Sequence, residues 1–341
     1  MTSEKHPERP QLRWALLPLA LADIYLIAVF AALLLGTYVG GPGGILYLLR
    51  DLLPWLLLGG AALLPIMALR RDWPRTAASA AALAAFLVVY GGLLLPPTPS
   101  PAVRAADGDD MTLRVMTYNV GIDLVDPDDL AALLREVDAD IVALNEVGEP
   151  LADALNGSAG DGYPYRAVYG WHVMGKGLLS RYPILEESGP FRLNTGMTHL
   201  QATLDVEGMP LRVVIAHPPR PNFIGGRYYY HPGAAEDIVE LVGMATAGGP
   251  AILLGDFNLT DRHPSYRVIT EAGLTDSFRE AGWGLGVTFP VWAGRAALPL
   301  PPLVRIDYVF HTAEFVVVNA RVAADTGSDH LPLVVDLLWR R

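Results

Sequence analysis

Seven polar residues stand at the ends of apolar runs, Asn119, Glu146, His217, Asp256, Asn258, Asp329 and His330, and an eighth, Asp307, lies inside one. Carboxylate and amide oxygens suit a hard cation, and imidazole moves protons near neutral pH, so these are the residue types of metal-assisted or acid–base chemistry. The chain has no cysteine. That excludes disulfide scaffolds, zinc-thiolate sites, iron–sulfur clusters and thiol nucleophiles, and it is compatible with an oxidising compartment without arguing for one. Taken singly, Asn119 and Asn258 serve equally well as turn caps, Glu146 and Asp256 as helix caps or solvated carboxylates, and His217 and His330 as structural histidines. Their joint occurrence carries the reading.

The elements that must position them are short, often β-branched runs. Leu113–Val120, Asp140–Val147, Arg166–Tyr169, Gly177–Ser180, Leu200–Val206, Leu211–His217, Ala251–Gly255, Val304–His311, Phe315–Val322 and Pro332–Leu337 read as strands. Pro127–Val137, opened by Asp126, Gly233–Ala247 and Pro264–Ala272 read as helices. Many strands with few, peripheral helices predict two packed sheets flanked by helices, not a doubly wound parallel sheet. Because side chains alternate along a strand, Asp256 and Asn258 point one way and Phe257 faces the core.

Composition divides the chain. Hydrophobic residues make up 52% and charged residues 18%, with a net charge of −11, whereas a soluble domain carries roughly a quarter charged residues. Residues 1–96 hold seven Lys or Arg against five Asp or Glu, so the remainder carries −13. Trp14–Leu35, Leu52–Leu69 and Ala77–Leu95 are apolar windows with Asp23 as their single charge. Each is close to the ~20 residues that cross a bilayer as a helix. The expected organisation is a three-helix membrane anchor over 1–95, a Pro- and Asp-rich linker over 96–111 in extended polyproline geometry, and a domain over 112–341. Lys5, Arg9 and Arg13 precede the first window and Arg70, Arg71 and Arg75 lie around the second loop, while Gly36–Gly44 is uncharged. The positive-inside rule puts the N-terminus in the cytoplasm and, after three crossings, the domain outside it. Arg50–Asp51 reads as an interfacial pair. Asp23 is expected to make an interhelical contact for which the sequence names no partner.

Thr117-Tyr118-Asn119, Asn145-Glu146, Gly177-Leu178-Leu179-Ser180-Arg181-Tyr182-Pro183, His217, Gly255-Asp256-Phe257-Asn258, Arg305-Ile306-Asp307-Tyr308 and Ser328-Asp329-His330-Leu331-Pro332 occur in that order. Over residues 112–337 this series resembles the endonuclease/exonuclease/phosphatase superfamily of DNase-I-like metal-dependent phosphoesterases. Asn145 stands where the family usually has glutamine, and Lys176-Gly177 where many members have Gly-Asn. The resemblance implies an α+β fold, a four-layer α/β/β/α sandwich, and hydrolysis of a phosphoester. That reaction brings water in line with the leaving oxygen while charge on the phosphoryl oxygens is neutralised.

By the same resemblance Glu146 is the main ligand of Mg²⁺ (or Mn²⁺), with Asn119 beside it and Asp329 completing the shell. Asp256 orients or deprotonates the water and Asn258 binds the phosphate. His330, held by Asp307, and His217 act on the scissile phosphate.

The substrate expectation rests on charge and topology. A domain at −13 lacks a nucleic-acid footprint. Arg220 and Arg227 in a tyrosine-rich segment, and Phe289 in a greasy, proline-rich loop with the run Ala296–Leu303, are the candidate substrate-binding residues. The architecture also resembles bacterial membrane proteins of the teicoplanin-resistance type. The expected partner is therefore a lipid-linked or cell-envelope phosphate at the membrane, and the expected function an extracytoplasmic phosphoesterase. An external nuclease is the alternative, and a catalytically silent binding protein the third reading.

Overall fold

Helix formation in the first hundred residues follows the apolar runs and breaks at the prolines. The computed structural model describes residues 11–35, 44–98, 100–104, 110–225, 227–291 and 301–340. Lys5, Arg9, the loop 36–43, Asp107-Gly108-Asp109 and 296–300 lie outside the described residues. The chain divides into a helical unit and a second unit that begins at Leu93.

Gln11–Leu35 is one helix, and Trp73–Tyr90 runs on through a 3-10 turn to Leu94. Leu17–Leu34 and Trp73–Leu94 are long and apolar enough to cross a membrane. The middle window departs from the expected single helix. Ile45–Asp51 is followed by Leu53–Leu69 at a bend of 76°, so the described helices give two spans, or three if this bent pair counts as one. Pro54 and Pro65 each open a new helical segment, where a missing N–H costs least.

Asp23, without a partner in sequence, is bonded by Arg75 through Nε at 2.8 Å and Nη2 at 2.6 Å. A Cβ on Gly60 would meet Ala82 at 3.0 Å and Leu26 at 3.7 Å, so these helices pack through small residues. Asp23 of the first helix and Arg75 of the last are thus joined directly, and Leu26 and Ala82 of the same two helices both border Gly60. Arg50 and Asp51 form the expected neighbouring pair, at 3.3 Å. In the linker, extended geometry fails at Pro101–Arg104, a single helical turn opened by proline in which Val103 N donates to Ser100 Oγ.

The described residues of the second unit form fifteen strands. They are β1 Met111–Asn119, β2 Ile141–Asn145, β3 Tyr165–Tyr169, β4 Lys176–Ser180, β5 Ile184–Glu187, β6 Phe191–Arg192, β7 Thr198–Val206, β8 Met209–Ala216, β9 Asn222–Ile224, β10 Arg227–Tyr229, β11 Ala251–Asp256, β12 Thr275–Asp276, β13 Asp307–His311, β14 Phe315–Val322 and β15 Leu333–Trp339. One sheet runs β14-β15-β1-β2-β4-β3, and the other β12-β13-β11-β8-β7-β5 with β6 beside β7. β9 and β10 form a separate hairpin.

Alternation sorts the faces. Met116, Tyr118, Val142 and Leu144 pack against Leu130, Leu134 and Val137 of the helix Pro127–Val137 and Leu151 and Leu155 of Glu149–Asn156. The intervening side chains of β1 and β2 turn toward the second sheet. Helix Ala234–Ala245 covers the far face of β8 and β11. The result is the expected helix–sheet–sheet–helix sandwich.

Each sheet contains one parallel pair. β1 and β2 align Asn119 with Asn145, and β8 and β11 align Ala216 with Gly255. Parallel neighbours need a long crossover, here made by Pro127–Val137 and Ala234–Ala245. The carboxyl ends of both pairs lie at the same end of the sandwich, which gathers Asn119, Glu146, His217 and Asp256.

Candidate active site

Asn145 ties the two sheets together at this end. Its Nδ2 donates to Ala216 O at 3.2 Å and its Oδ1 accepts from Asp256 N at 3.1 Å. The shorter side chain at this position fills both bonds, and the residues that follow β2, β8 and β11 are fixed relative to one another. The backbone is specialised here. Glu146 (φ 59°) and Asn258 (φ 52°) adopt the left-handed conformation that side-chain-bearing residues rarely accept. Gly255 has φ 138°, and a Cβ there would sit 2.1 Å from Ala216 O, so only glycine lets β11 approach β8 this closely before Asp256.

Asp256 is the hub. It is 1% exposed; its Oδ1 accepts from Asn258 N at 2.8 Å and its Oδ2 from Asn119 Nδ2 at 3.0 Å. The Nε2 atoms of His217 and His330 each lie 3.7 Å from the same Oδ2. Burial, with a push from Asp307 and against the pull of His330, raises the Asp256 carboxyl to about 7. Glu146 keeps partial exposure, accepts from Asn119 Nδ2 at 3.1 Å and lies 3.5 Å from His217 Nε2.

His330 Nδ1 is 2.9 Å from Asp307 Oδ2. Burial opposes charge on this imidazole, but Asp307 and Asp256 outweigh it and raise His330 to about 10. The ring of Phe289 packs on that of His330, 4.8 Å between centroids, so Phe289 is placed as a wall of the histidine. Ser328 Oγ donates to Asn119 O at 2.6 Å and accepts from His330 N at 3.2 Å, which locks the His330 turn to the end of β1. Asn258 donates through Nδ2 to Pro218 O at 3.0 Å, and Phe257 stacks edge-on to Tyr308 and Phe310 in the core, as its alternation predicts.

Two compact donor groups result, Glu146–His217–Asp256 and Asp256–Asp307–His330, each with its atoms within 4.8 Å of one another. The first, rich in carboxylate and open to solvent through Glu146, suits a divalent cation. Asn119 joins the two carboxylates through its amide nitrogen, while its Oδ1 accepts from Gly121 N at 3.0 Å. Asp329 is in neither group: its side chain lies against Gly121, where a Cβ would stand 3.1 Å from Oδ1. Arg220 before the β9–β10 hairpin and Arg227 on it are exposed, and no described contact joins them to the buried set.

Two buried supports, Arg305 and Lys176, stand within the motifs of the sequence reading but carry no role there. Arg305 donates to Asp276 Oδ1 at 2.9 Å, two residues before Asp307. Lys176, fully buried at the start of β4, donates to Met174 O and Gly175 O and lies 3.4 Å from His217 Nδ1. Burial lowers this lysine to about 7 against the pull of Glu146 and Asp256. A polar residue opening an otherwise apolar strand is the signal that could have marked it.

The Endonuclease/Exonuclease/phosphatase family model matches residues 116–330. The uncharacterized protein YbhP of Escherichia coli (strain K12) is 26% identical over 242 residues, covering 61% of this chain and 87% of that protein. An endonuclease/exonuclease/phosphatase family protein from Bacteroides thetaiotaomicron has a similar fold, with TM-score 0.53 and 20% identity over 68% of this chain and 96% of that one. The mannosyl-6-phosphatase Bt3783 of the same organism gives TM-score 0.51 and 21% identity over 66% and 99%. The matched segment contains the whole polar set from Asn119 to His330, held at the joined strand ends of a two-sheet sandwich. The chain belongs to the endonuclease/exonuclease/phosphatase family and is a hydrolase of phosphoester bonds.

Proposed function

We propose that the protein is a membrane-anchored, extracytoplasmic, Mg²⁺-dependent phosphoesterase acting on a lipid-linked or cell-envelope phosphate. The observation that carries the chemistry is Asp256, a buried carboxylate flanked by His217 and His330 and adjacent to Glu146. Glu146, with Asp256 and His217 nearest to it, is the residue that would hold the cation. When bound, the cation neutralises charge on the phosphoryl and leaving oxygens. Asp256 accepts the proton of the attacking water, for which a carboxyl near 7 is well matched. His330, kept protonated by Asp307, donates to an oxygen of the phosphate, and Asn258 supplies an amide beside it.

Topology supports the location and the substrate class. The basic flanks at 5–13 and 70–75 fall on one side only if the chain crosses and returns between them. The bent pair Ile45–Leu69 supports that return when it is counted as one span. On that reading three crossings leave the catalytic unit outside the cytoplasm. The acidic balance weighs against nucleic acid.

Full-length protein in detergent is to be assayed with Mg²⁺, Mn²⁺ or chelator against isoprenyl pyrophosphate, a phospholipid panel and plasmid DNA. Metal-dependent release of phosphate from the lipid substrates is expected; rapid nicking of DNA at physiological salt with no lipid turnover points to the nuclease alternative and overturns the substrate class. Because the chain lacks cysteine, Ser188→Cys and Arg71→Cys report topology without background. Labelling of intact cells by an impermeant maleimide is expected at residue 188 and only after permeabilisation at 71; the reverse overturns the location.

A further inference from the structure

His217 belongs to a donor group that could hold a metal, yet it also faces a residue that a metal-ligating histidine would not want behind it. Lys176 Nζ stands 3.4 Å from His217 Nδ1, and its other two contacts, Met174 O at 3.3 Å and Gly175 O at 3.1 Å, are both acceptors. An ammonium has three hydrogens and no acceptor site. With two carbonyls taking two hydrogens, the third is left for Nδ1 of a ring that also meets the backbone of Val173. The imidazole is held from its backbone side as well, since His217 N donates to His199 Nδ1 at 3.1 Å.

We propose that Lys176 is a positioning residue that fixes His217 as the Nε2–H tautomer, and so assigns this histidine to hydrogen-bond donation to a phosphoryl oxygen and away from metal ligation. This rests on the phosphoesterase reading. The argument is stereochemical: a ring nitrogen that accepts from Lys176 leaves the hydrogen on the other nitrogen. That nitrogen faces Glu146 Oε1 at 3.5 Å and Asp256 Oδ2 at 3.7 Å, too long for strong bonds to either and suited to an oxygen placed between them. A nitrogen that carries hydrogen has no lone pair for a cation. Lys176 thus stands behind His217 as Asp307 stands behind His330, with the opposite charge and the opposite consequence for the ring. The register fixes this geometry, because Lys176 pairs with Asn145, the residue before Glu146, in the β2–β4 ladder.

The test uses full-length protein in detergent micelles with ¹⁵N-labelled histidine rings and two-bond ¹H–¹⁵N correlation, the His217 signal assigned with His217→Gln. Wild type is expected to show His217 as the pure Nε2–H tautomer. Lys176→Met should release a tautomer mixture, and Lys176→Gln, whose amide still donates, should retain the wild-type pattern. In turnover, Lys176→Met should lower kcat about 10- to 100-fold, the usual cost of losing a partner that orients a site histidine, with little change in KM. The same substitution should cost little more in a His217→Gln background. A His217 found as Nδ1–H in wild type, as a neutral amine accepting from the ring would produce, overturns the proposal. So does a Lys176→Met loss that is equally large without His217. Absence of phosphoester turnover in wild type would instead sink the functional reading, and the tautomer measurement still decides the role of Lys176.

Discussion

Asp307 Oδ2 lies 2.9 Å from His330 Nδ1, whereas the corresponding nitrogen of His217 faces the Nζ of Lys176. Two histidines that approach one carboxylate oxygen of Asp256 at the same 3.7 Å are thereby made unlike. Asp307 raises His330 to about 10 despite burial, while burial and Lys176 hold His217 well below the ordinary imidazole range. The two imidazoles around the Asp256 carboxylate are thus shifted in opposite directions, and on the proposed function this separates donating a proton from shaping the phosphate pocket.

The pH profile follows from this pair. Asp256 acts as a base only when ionised, so kcat/KM should rise as pH passes through about 7. His330 donates only while protonated, so the rate should fall as pH passes through about 10. The two groups are close enough that both limbs belong to the pair. Asp307 raises both groups, so Asp307→Asn should move both limbs toward acid, the alkaline limb most because the substitution also removes the hydrogen-bonded carboxylate. Full profiles of the two proteins check this; an alkaline limb that stays in place would assign it to another group.

Glu146 and Asp256 should fail differently. Glu146→Gln weakens a carboxylate that would hold the cation, and its activity should recover in part as Mg²⁺ is raised. Asp256→Asn removes the base, and excess metal should not restore a loss on the order of 10²- to 10⁴-fold in kcat. Metal titrations of both variants give the comparison. Full metal-dependent activity in either would remove that residue from its role.

How much of this arrangement was legible beforehand depended on the range of the interaction. The helix Pro127–Val137 with Asp126 as its cap and the strand Phe315–Val322 fall where local pattern puts them, because a proline after a capping aspartate and a β-branched run are local signals. The short strands Ile184–Glu187 and Thr275–Asp276 and the helix Glu149–Asn156 were not, since two to four paired residues or two helical turns leave little periodicity. Asn119, Glu146, His217 and Asp256 could be picked by type and strand-end position, but only the two parallel registers bring them together. Lys176 and Arg305 support the site through contacts with residues distant in sequence, and no spacing announces such partners. Arg75 likewise answers Asp23 across 52 positions.

Arg305 and Asp276 provide a stability test. Arg305 is buried and stacked on Tyr308 at 4.5 Å, and Asp276 also accepts from Tyr266 Oη at 2.8 Å and from Phe278 N at 3.0 Å. Removing Asp276 leaves the buried Arg305 with only the Asp261 carboxylate, at 4.0 Å, so Asp276→Ala should cost about 3 kcal/mol. The i,i+4 pair Arg267–Glu271, about two-thirds exposed on both sides, is the control. Glu271→Ala should change stability by less than about 0.5 kcal/mol. Denaturation monitored by near-ultraviolet circular dichroism separates the two, and equal effects would show that the buried pair contributes nothing special.

The helical unit is tested through Asp23 and Arg75, which meet through two bonds between its first and last helices. Arg75 has a second partner in Asp72, at 2.5 Å, whereas no other described bond reaches the Asp23 carboxylate. The two single substitutions should therefore differ. Asp23→Asn leaves Arg75 paired with Asp72 and should cost little. Arg75→Gln leaves the half-exposed Asp23 carboxylate on an apolar helix without its described partner and should lower the unfolding temperature measurably. Combining both substitutions removes the stranded charge and should recover most of that loss. Thermal unfolding of the three proteins in one detergent measures the order, Arg75→Gln lowest and the double variant above it. A double variant no more stable than Arg75→Gln would mean that the charge of Asp23 is solvated without its partner, and the pair would then not hold the first and last helices together.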